Sequence, residues 1–371
     1  MNNTMGIINL YEEEEGMKAL ISNRTLGAVP YGGRYRLIDF QLSNMVNSGI
    51  VNVGVFASNN TPSLMNHLGI GEPWGLNRKK DGLFVFYPSH NQGNIIHNEQ
   101  MESFRKNLQY LEYSTQKYVI ITSSHMVYSF DFQSFVDKHI KEGNDVTILY
   151  KSITNGREEF LNCEILDLDG DGNLLGMKKN VGGDNNVNIS LDAYVMEREF
   201  FIDLIKNSRD MGVLYSLNNI ISVLNETYKI KGFCYDGYVQ CVNSVSAYFK
   251  GNLELLEDKV ASELFKRELP IHTRTADNPP TRYGREARVK NSYISNGAII
   301  EGIVENSIVF RGVKVDKGAV VKDSILMTKS HIGEGVRIQC AIADKYCDIT
   351  KTKDIEGAKN NPIIIEKNTC I

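Results

Sequence analysis

What the chain lacks narrows its function before any motif is read. Its six cysteines (Cys163, Cys234, Cys241, Cys340, Cys347 and Cys370) contain no Cys-x-x-Cys, and none of its seven histidines forms a pair at metal-ligand spacing. That pattern excludes zinc-finger and disulfide-scaffold readings and leaves buried or free thiols in a reducing compartment. No run of 18 apolar residues occurs, so no membrane-spanning helix is expected. The N-terminus goes directly into Gly6-Ile7-Ile8-Asn9-Leu10 with no signal peptide, which predicts a cytoplasmic protein. Basic charge is also short: 41 Lys and Arg stand against 45 Asp and Glu, a net charge of −4. No basic patch stands out, which argues against a nucleic-acid partner.

What is present is an ordinary soluble composition, 42% apolar over 371 residues, long enough for two domains. Val29–Ala57 organises the first. Pro30 and Gly32-Gly33 predict a tight turn, because glycine enters positive φ without steric cost. Asp39 is placed to cap a short helix carrying Leu42, Met45 and Val46, Gly49 closes it, and Val51–Ala57 alternates as a strand. Met5–Leu10, Lys117–Thr122 and Asn144–Tyr150 read as further strands and Met101–Glu112 as helix. Met65–Asn98, with Gly69, Gly71, Pro73 and the lone Trp74, reads as loop-rich. His97 and His125 have no obvious partner and are assigned packing or solvated roles. Asp167–Asn173 mimics a calcium loop but lacks its terminal Glu, so a hairpin turn is expected. Polar Glu263–Arg288, with Pro279-Pro280, reads as an extended linker. After it a period of six appears: Val309, Val315, Val321 and Met327 in one row, Val313, Ala319 and Ile325 in another, the mark of a β-helix.

The run Pro30-Tyr31-Gly32-Gly33-Arg34-Tyr35-Arg36-Leu37-Ile38-Asp39-Phe40-Gln41-Leu42-Ser43-Asn44, followed by Asn47-Ser48-Gly49-Ile50, resembles ADP-glucose pyrophosphorylase (glucose-1-phosphate adenylyltransferase). The resemblance extends to about residue 345. It implies an α/β fold: a Rossmann-like, mostly parallel nucleotidyltransferase domain (1–262), a linker (263–288) and a left-handed β-helix (289–371). The departures from the family pattern concern charge. Where the family has a glycine-rich phosphate loop, this chain has Tyr11-Glu12-Glu13-Glu14-Glu15-Gly16. Its carboxylates would repel a triphosphate, like charges about 4 Å apart costing on the order of 1 kcal/mol per pair in water. The run is either a solvated acidic turn or a contact for a basic patch on a partner subunit.

Leu26 replaces the family's phosphate-binding lysine, Ser124 its Mg²⁺ aspartate in the Gly-Asp-His motif, and Cys241 its second magnesium aspartate. Asp131 and Asp236 are the nearest alternative carboxylates; Asp131 is read as structural, and Asp236 would serve only through a register shift. Arg24, Gly93, Lys178, Lys179 and Ser190 match family positions and are the remnants of a substrate or anion site, Arg24 reading equally well as a salt-bridge residue. Asp192 stands where the family has glycine and would oppose an anionic ligand. The resemblance therefore implies a D-type regulatory subunit, non-catalytic and without its own cofactor. It would assemble, as a tetramer, with a catalytic paralogue that carries Mg²⁺ and makes ADP-glucose for glycogen synthesis, and a small-molecule effector is possible. A weakly active adenylyltransferase with an unusual metal site, a sugar-phosphate or nucleotide sensor, and a β-helix acyltransferase using His331 are the other readings.

Overall fold

The computed structural model describes residues 3–11, 15–58, 60–87, 99–208 and 216–371. They form two compact units, neither continuous in sequence. The first takes Met1–Glu12, Phe40–Val239 and Arg267–His272; the second takes Glu13–Asp39, Gln240–Lys266 and Thr273–Ile371.

The first unit is built on a nine-stranded sheet: β1 (Thr4–Asn9), β2 (Asn52–Phe56), β3 (Gly82–Phe86), β4 (Tyr118–Ser123), β5 (Val146–Ile153), β6 (Glu164–Leu168), β7 (Leu174–Lys179), β8 (Val187–Glu197) and β9 (Ile230–Cys234). The order is β7-β6-β8-β4-β1-β2-β3, with β5 pairing β8 and β9 pairing β5. Strands β4, β1, β2 and β3 run parallel, in register Asn9↔Ser123 and Asn9↔Phe56. The near-continuous apolar composition of β4, β1 and β2 goes with their burial on both faces. Helix α1 (Leu37–Asn47) enters this unit at Phe40 and lays Met45 on the sheet; a Cβ on Gly6 would stand 2.5 Å from its sulfur. Gly49, at φ 74°, ends the helix, as its sequence position predicts. Helices α2 (Glu99–Lys106), α3 (Leu108–Tyr113), α4 (Gln133–Glu142), α5 (Arg198–Asn207) and α6 (Leu217–Leu224) complete the layers. Phe104, Leu111, Phe201 and Ile221 meet Ile7, Val119 and Ile121 in one buried core.

The structure differs from the sequence reading in three places here. The expected helix Met101–Glu112 is two helices, broken at Asn107. The stretch read as loop-rich contains a helix, Pro62–Leu68, and strand β3. Strand β3 lies at the sheet edge with Phe84 40% exposed, although Leu83-Phe84-Val85-Phe86 is as apolar a run as that of a central strand. Trp74 is buried edge-on against His67, 5.7 Å between ring centres. The acidic loop Asp167–Asn173 is the expected hairpin turn: Asp169 Oδ1 accepts from the Asp171 and Asn173 amides at 2.9 and 2.8 Å. The Asn173 side chain is the main cause of its lowered pKa.

The second unit carries the coil. Three five-stranded parallel ladders stack side by side, one beginning at Arg282–Tyr283, one at Arg288–Lys290 and one at Tyr293–Ile294. This is the left-handed parallel β-helix expected of a hexapeptide repeat. Val309, Val315 and Val321 are not one stacked column. They point inward from three successive faces of one coil, while the vertical stack is Ile300, Val315, Ile332 and Ile349. Pairing of Arg282–Tyr283 with Ile299–Ile300 puts the first strand within the stretch read as linker. Each coil turns one corner at a left-handed residue: Asn291, Asn306, Asp323 and Cys340. Asn and Asp tolerate that conformation best. The serines after them form a ladder, Ser307 N donating to Ser292 Oγ and Ser324 N to Ser307 Oγ.

The signature turn also lies in the second unit. Gly32 and Gly33 have φ 58° and 82°, and a Cβ on Gly33 would lie 2.9 Å from Ser295 Oγ. Helix α7 (Val245–Glu254) braces the turn, with Tyr248 donating to the Pro30 carbonyl at 2.7 Å and Asn252 accepting from the Gly32 amide at 2.9 Å. Asp39 is not the N-cap of α1 but a first-turn residue whose carboxylate accepts from the Arg36 amide at 3.0 Å. That is the returning half of a capping box.

Candidate functional site

In an open α/β sheet, ligands gather beyond the carboxyl ends of the parallel strands. In the first unit those ends include Asn9 and Ser123, and the next residues are Ser124 and His125. Ser124 is fully buried. His125 Nε2 stands 3.2 Å from Asp192 Oδ2, so this histidine has a carboxylate partner that its sequence context did not disclose. A β-bulge puts Asp192 there: the register of β8 shifts between Ser190 and Ala193, and Asp192 adopts φ 47°. Asn218 Nδ2 lies 3.4 Å from Asp192 Oδ1, and the Tyr194 hydroxyl lies 2.9 Å from Asn218 Oδ1 and 3.3 Å from Asp192 Oδ1. Burial, reinforced by Asp192, holds the Tyr194 phenol well above its ordinary pKa, so it acts as a neutral donor. The bulge is tightened by the Asp192 amide donating to Ser190 Oγ at 3.2 Å, with Ser190 fully buried. The carboxylate is thus taken up by groups of its own unit.

Lys178 and Lys179 are exposed on β7, where adjacent side chains face opposite sides of the sheet. Lys178 pairs with Ile165 and Ile165 with Ile189, so Lys178 lies two strands from the residue preceding Ser190. Asn180 is fully buried and tied to the Gly156, Glu159 and Phe160 carbonyls at 2.8–3.1 Å. Asp131 accepts from the Gln133 amide at 2.9 Å at the start of α4. Asp236 is exposed, with the Cys234 thiol 3.6 Å from its Oδ1. Gly93, His97 and Glu12–Glu14 lie outside the described residues; exposed Glu15 pairs with Lys18 at 3.0 Å.

In the second unit Leu26 is buried in a short 3-10 turn, and Cys241 is a buried thiol on the strand Gln240–Cys241. Arg24 is also buried, 3% exposed, and its Nη2 meets the equally buried Asp344 Oδ2 at 2.5 Å. Lys345 is next to that pair, its amide donating to Asp344 Oδ1 at 2.6 Å. Burial, then the Arg36 and Arg24 charges, push the Lys345 ammonium down to about 7. Arg36 is pushed down to about 10, mainly by burial and further by Arg24 and Arg274. One buried and two half-buried cations, Arg24 with Arg36 and Lys345, therefore press on one another around Asp344 and Asp39. The motifs pointed to Arg24 alone; Lys345 and Asp344 are more than 300 residues away and carry no local signal. His331, isolated in sequence, sits between Asp316 at 2.7 Å and Asp348 at 3.2 Å.

Among the described residues no three His, Cys, Asp or Glu side chains gather as a metal cluster. Mg²⁺ prefers carboxylates and substrate phosphates. At the strand ends of the first unit stand the Ser124 hydroxyl and the Asp192 carboxylate, and Asp192 is already engaged by His125 and Asn218. The described residues at these strand ends do not fit a catalytic magnesium site.

A mostly parallel sheet followed by a hexapeptide coil is the architecture of a nucleotidyl transferase domain joined to a hexapeptide-repeat domain. The nucleotidyl transferase family model matches residues 20–159 and the GlmU-like C-terminal hexapeptide family model matches residues 277–361. The glycogen biosynthesis protein GlgD of Bacillus subtilis (strain 168) is 35% identical over 371 residues, covering 99% of this chain and 96% of the relative. That of Geobacillus stearothermophilus is 38% identical, covering 100% and 98%. A glucose-1-phosphate adenylyltransferase from Fervidobacterium nodosum is 31% identical, covering 92% and 83%. The chain belongs to the GlgD family of glycogen biosynthesis proteins, related to glucose-1-phosphate adenylyltransferase. No described helix is long and apolar enough to cross a membrane.

Proposed function

We propose that this chain is a regulatory, non-catalytic subunit that assembles with a catalytic glucose-1-phosphate adenylyltransferase and raises its activity. The observation that carries the reading is Asp192: a carboxylate held by His125 and Asn218 at the strand ends, where nucleotidyl transfer needs metal-bound phosphate. The chain offers Ser124, Cys241 and Leu26 where the catalytic relatives offer charge, so turnover has no means of neutralising a triphosphate. The effector, in this reading, is a small anion drawn to Lys345, Arg36 and Arg24, the partly buried positive cluster of the second unit.

Adenylyltransferase activity with ATP and glucose 1-phosphate is measured for this chain, for the catalytic paralogue and for their mixture, with masses from light scattering. Silence of this chain alone, a higher rate on mixing and a mixed tetramer are expected. Magnesium-dependent turnover by this chain alone overturns the proposal. So does a mixture that runs at the paralogue's own rate.

A further inference from the structure

A cavity opens at the amino ends of the parallel strands of the same sheet. Asn52 begins β2, Lys80 and Asp81 precede β3, and Ser114 and Thr115 precede β4; with α2 and α3 they enclose about 450 Å³. Ligand sites for small molecules span about 300–1,000 Å³. The His125–Asp192 pair lies toward the carboxyl ends of the strands, so this cavity is separate from it.

Its floor is rigid. Asn52 is buried, accepting from the Tyr110 hydroxyl at 2.8 Å and donating to Gln116 Oε1 at 3.0 Å. The Tyr110 ring lies over Gly54, where a Cβ would come within 2.7 Å of it. Phe84 and Phe86 pack tilted against that ring, their centres 5.1 and 4.9 Å away. Above the floor the walls are aromatic and open: Phe84 is 40% and Tyr113 76% exposed, and Gln109 Nε2 fixes the Tyr113 hydroxyl at 3.1 Å. Asn107 and Gln109 amides, the Asp81 carboxylate and the Lys80 and Lys106 ammonium groups surround them.

Charge selects the ligand. Asp81 stands beside Lys80, and Lys106 is 3.8 Å from Glu102, so the positive and negative groups nearly balance. The lining holds no arginine fork to seat a phosphate. The aromatic faces want a flat apolar ring surface, and the amides and carboxylate want hydroxyl groups at its edge. A pyranose ring supplies both. We propose that this cavity binds a neutral α-linked glucan chain, its sugar rings stacked on Phe84 and Tyr113. The choice of an α-glucan rests on the glycogen-synthesis reading of the family.

Binding is measured by native electrophoresis through glycogen and by calorimetry with maltohexaose, using the full chain, its Tyr113→Ala and Phe84→Ala variants, and Tyr283→Ala as an exposed aromatic control in the coil. Retardation by glycogen and saturable maltohexaose binding are expected, weakened about tenfold by loss of either stacking ring. The Tyr283→Ala control should bind as the parent does. Absence of binding by the parent overturns the proposal, as does undiminished affinity in both variants. A changed assembly mass in Tyr113→Ala with glucan affinity intact assigns the cavity to a protein partner and overturns it too. A chain that activates the catalytic paralogue without binding glucan loses this inference alone; one that binds glucan without activating loses only the regulatory reading.

Discussion

The two units each bury a base whose pKa falls, and the neighbours of those bases differ in kind. In the first unit His139 is buried beside Thr147, its Nδ1 2.9 Å from the hydroxyl, and burial pushes it down to about 4. The charges of Glu197 and Asp145 oppose that shift. In the second unit Lys345 is pushed down to about 7 by burial and then by Arg36 and Arg24. An added anion can do little for His139, whose nearby charges are already mostly negative. For Lys345 it would relieve repulsion among cations. The first unit therefore settles its ionisable groups internally, as the His125–Asp192 pair also does, while the second keeps an excess of positive charge that an outside ligand can answer.

The largest expected effect breaks the comparison at its centre. Arg24→Met leaves Asp344 buried without its guanidinium, and loss of one member of a buried ion pair costs about 3–5 kcal/mol. Urea unfolding of the full chain reads the loss. The double variant Arg24→Met/Asp344→Leu should recover most of it, because a buried pair replaced by apolar groups is close to neutral. A single-variant loss below about 1 kcal/mol would show that the pair behaves as an exposed one.

Next in size is the acid response of the first unit. The His139 pKa is 6.5 in an ordinary setting and about 4 in the fold, so the unfolded chain binds the extra proton between those values. Stability is present above pH 6.5 and falls as the pH drops toward 4, by about 1–3 kcal/mol. His139→Gln, which keeps a group able to bond Thr147, should flatten that part of the stability profile. An unchanged profile would mean that the acid sensitivity comes from carboxylates.

Much of the scaffold is legible in sequence, because its signals are local. Pro30, Gly32 and Gly33 mark the turn, Gly49 closes α1, and the valines six apart mark the coil. Asp39 was legible as a helix-start residue but not as to which amide it would satisfy. The candidate sites are less legible, since their members come from distant segments. His125 gains its meaning only when the bulge at Ser190 swings Asp192 toward it, 67 positions away in the chain. Lys345 looks like any coil lysine until Arg24 and Arg36 are folded against it. Edge strand β3 carries the apolar run Leu83-Phe84-Val85-Phe86 in sequence, but the glycines and proline before it make its surroundings read as loop, and the cavity at the amino ends of the strands depends on that edge.

The smallest expected effect sharpens the comparison most. Lys345 has an ordinary pKa of 10.5 and about 7 in the fold, so the unfolded chain holds the extra proton between those values and stability rises with pH from about 7 to 10.5. Below pH 7 the lysine is charged in both states and the repulsion from Arg36 and Arg24 is felt in full. Sulfate, a dianion throughout this range, should bind the protonated cluster and raise the Lys345 pKa, so it should stabilise the chain more at pH 6 than at pH 9. At ten times its dissociation constant the gain is about 1.4 kcal/mol. Lys345→Met, compared at the same sulfate concentration, separates this binding from the general stabilising effect of sulfate on folded proteins. It should lose the pH-dependent part and keep the rest. Because His139 has no cationic neighbour strong enough to invite an anion, His139→Gln should leave the sulfate response as it is in the parent. Equal sulfate responses in the parent and Lys345→Met would mean that the buried cations are balanced from within after all, and the difference between the two units would disappear.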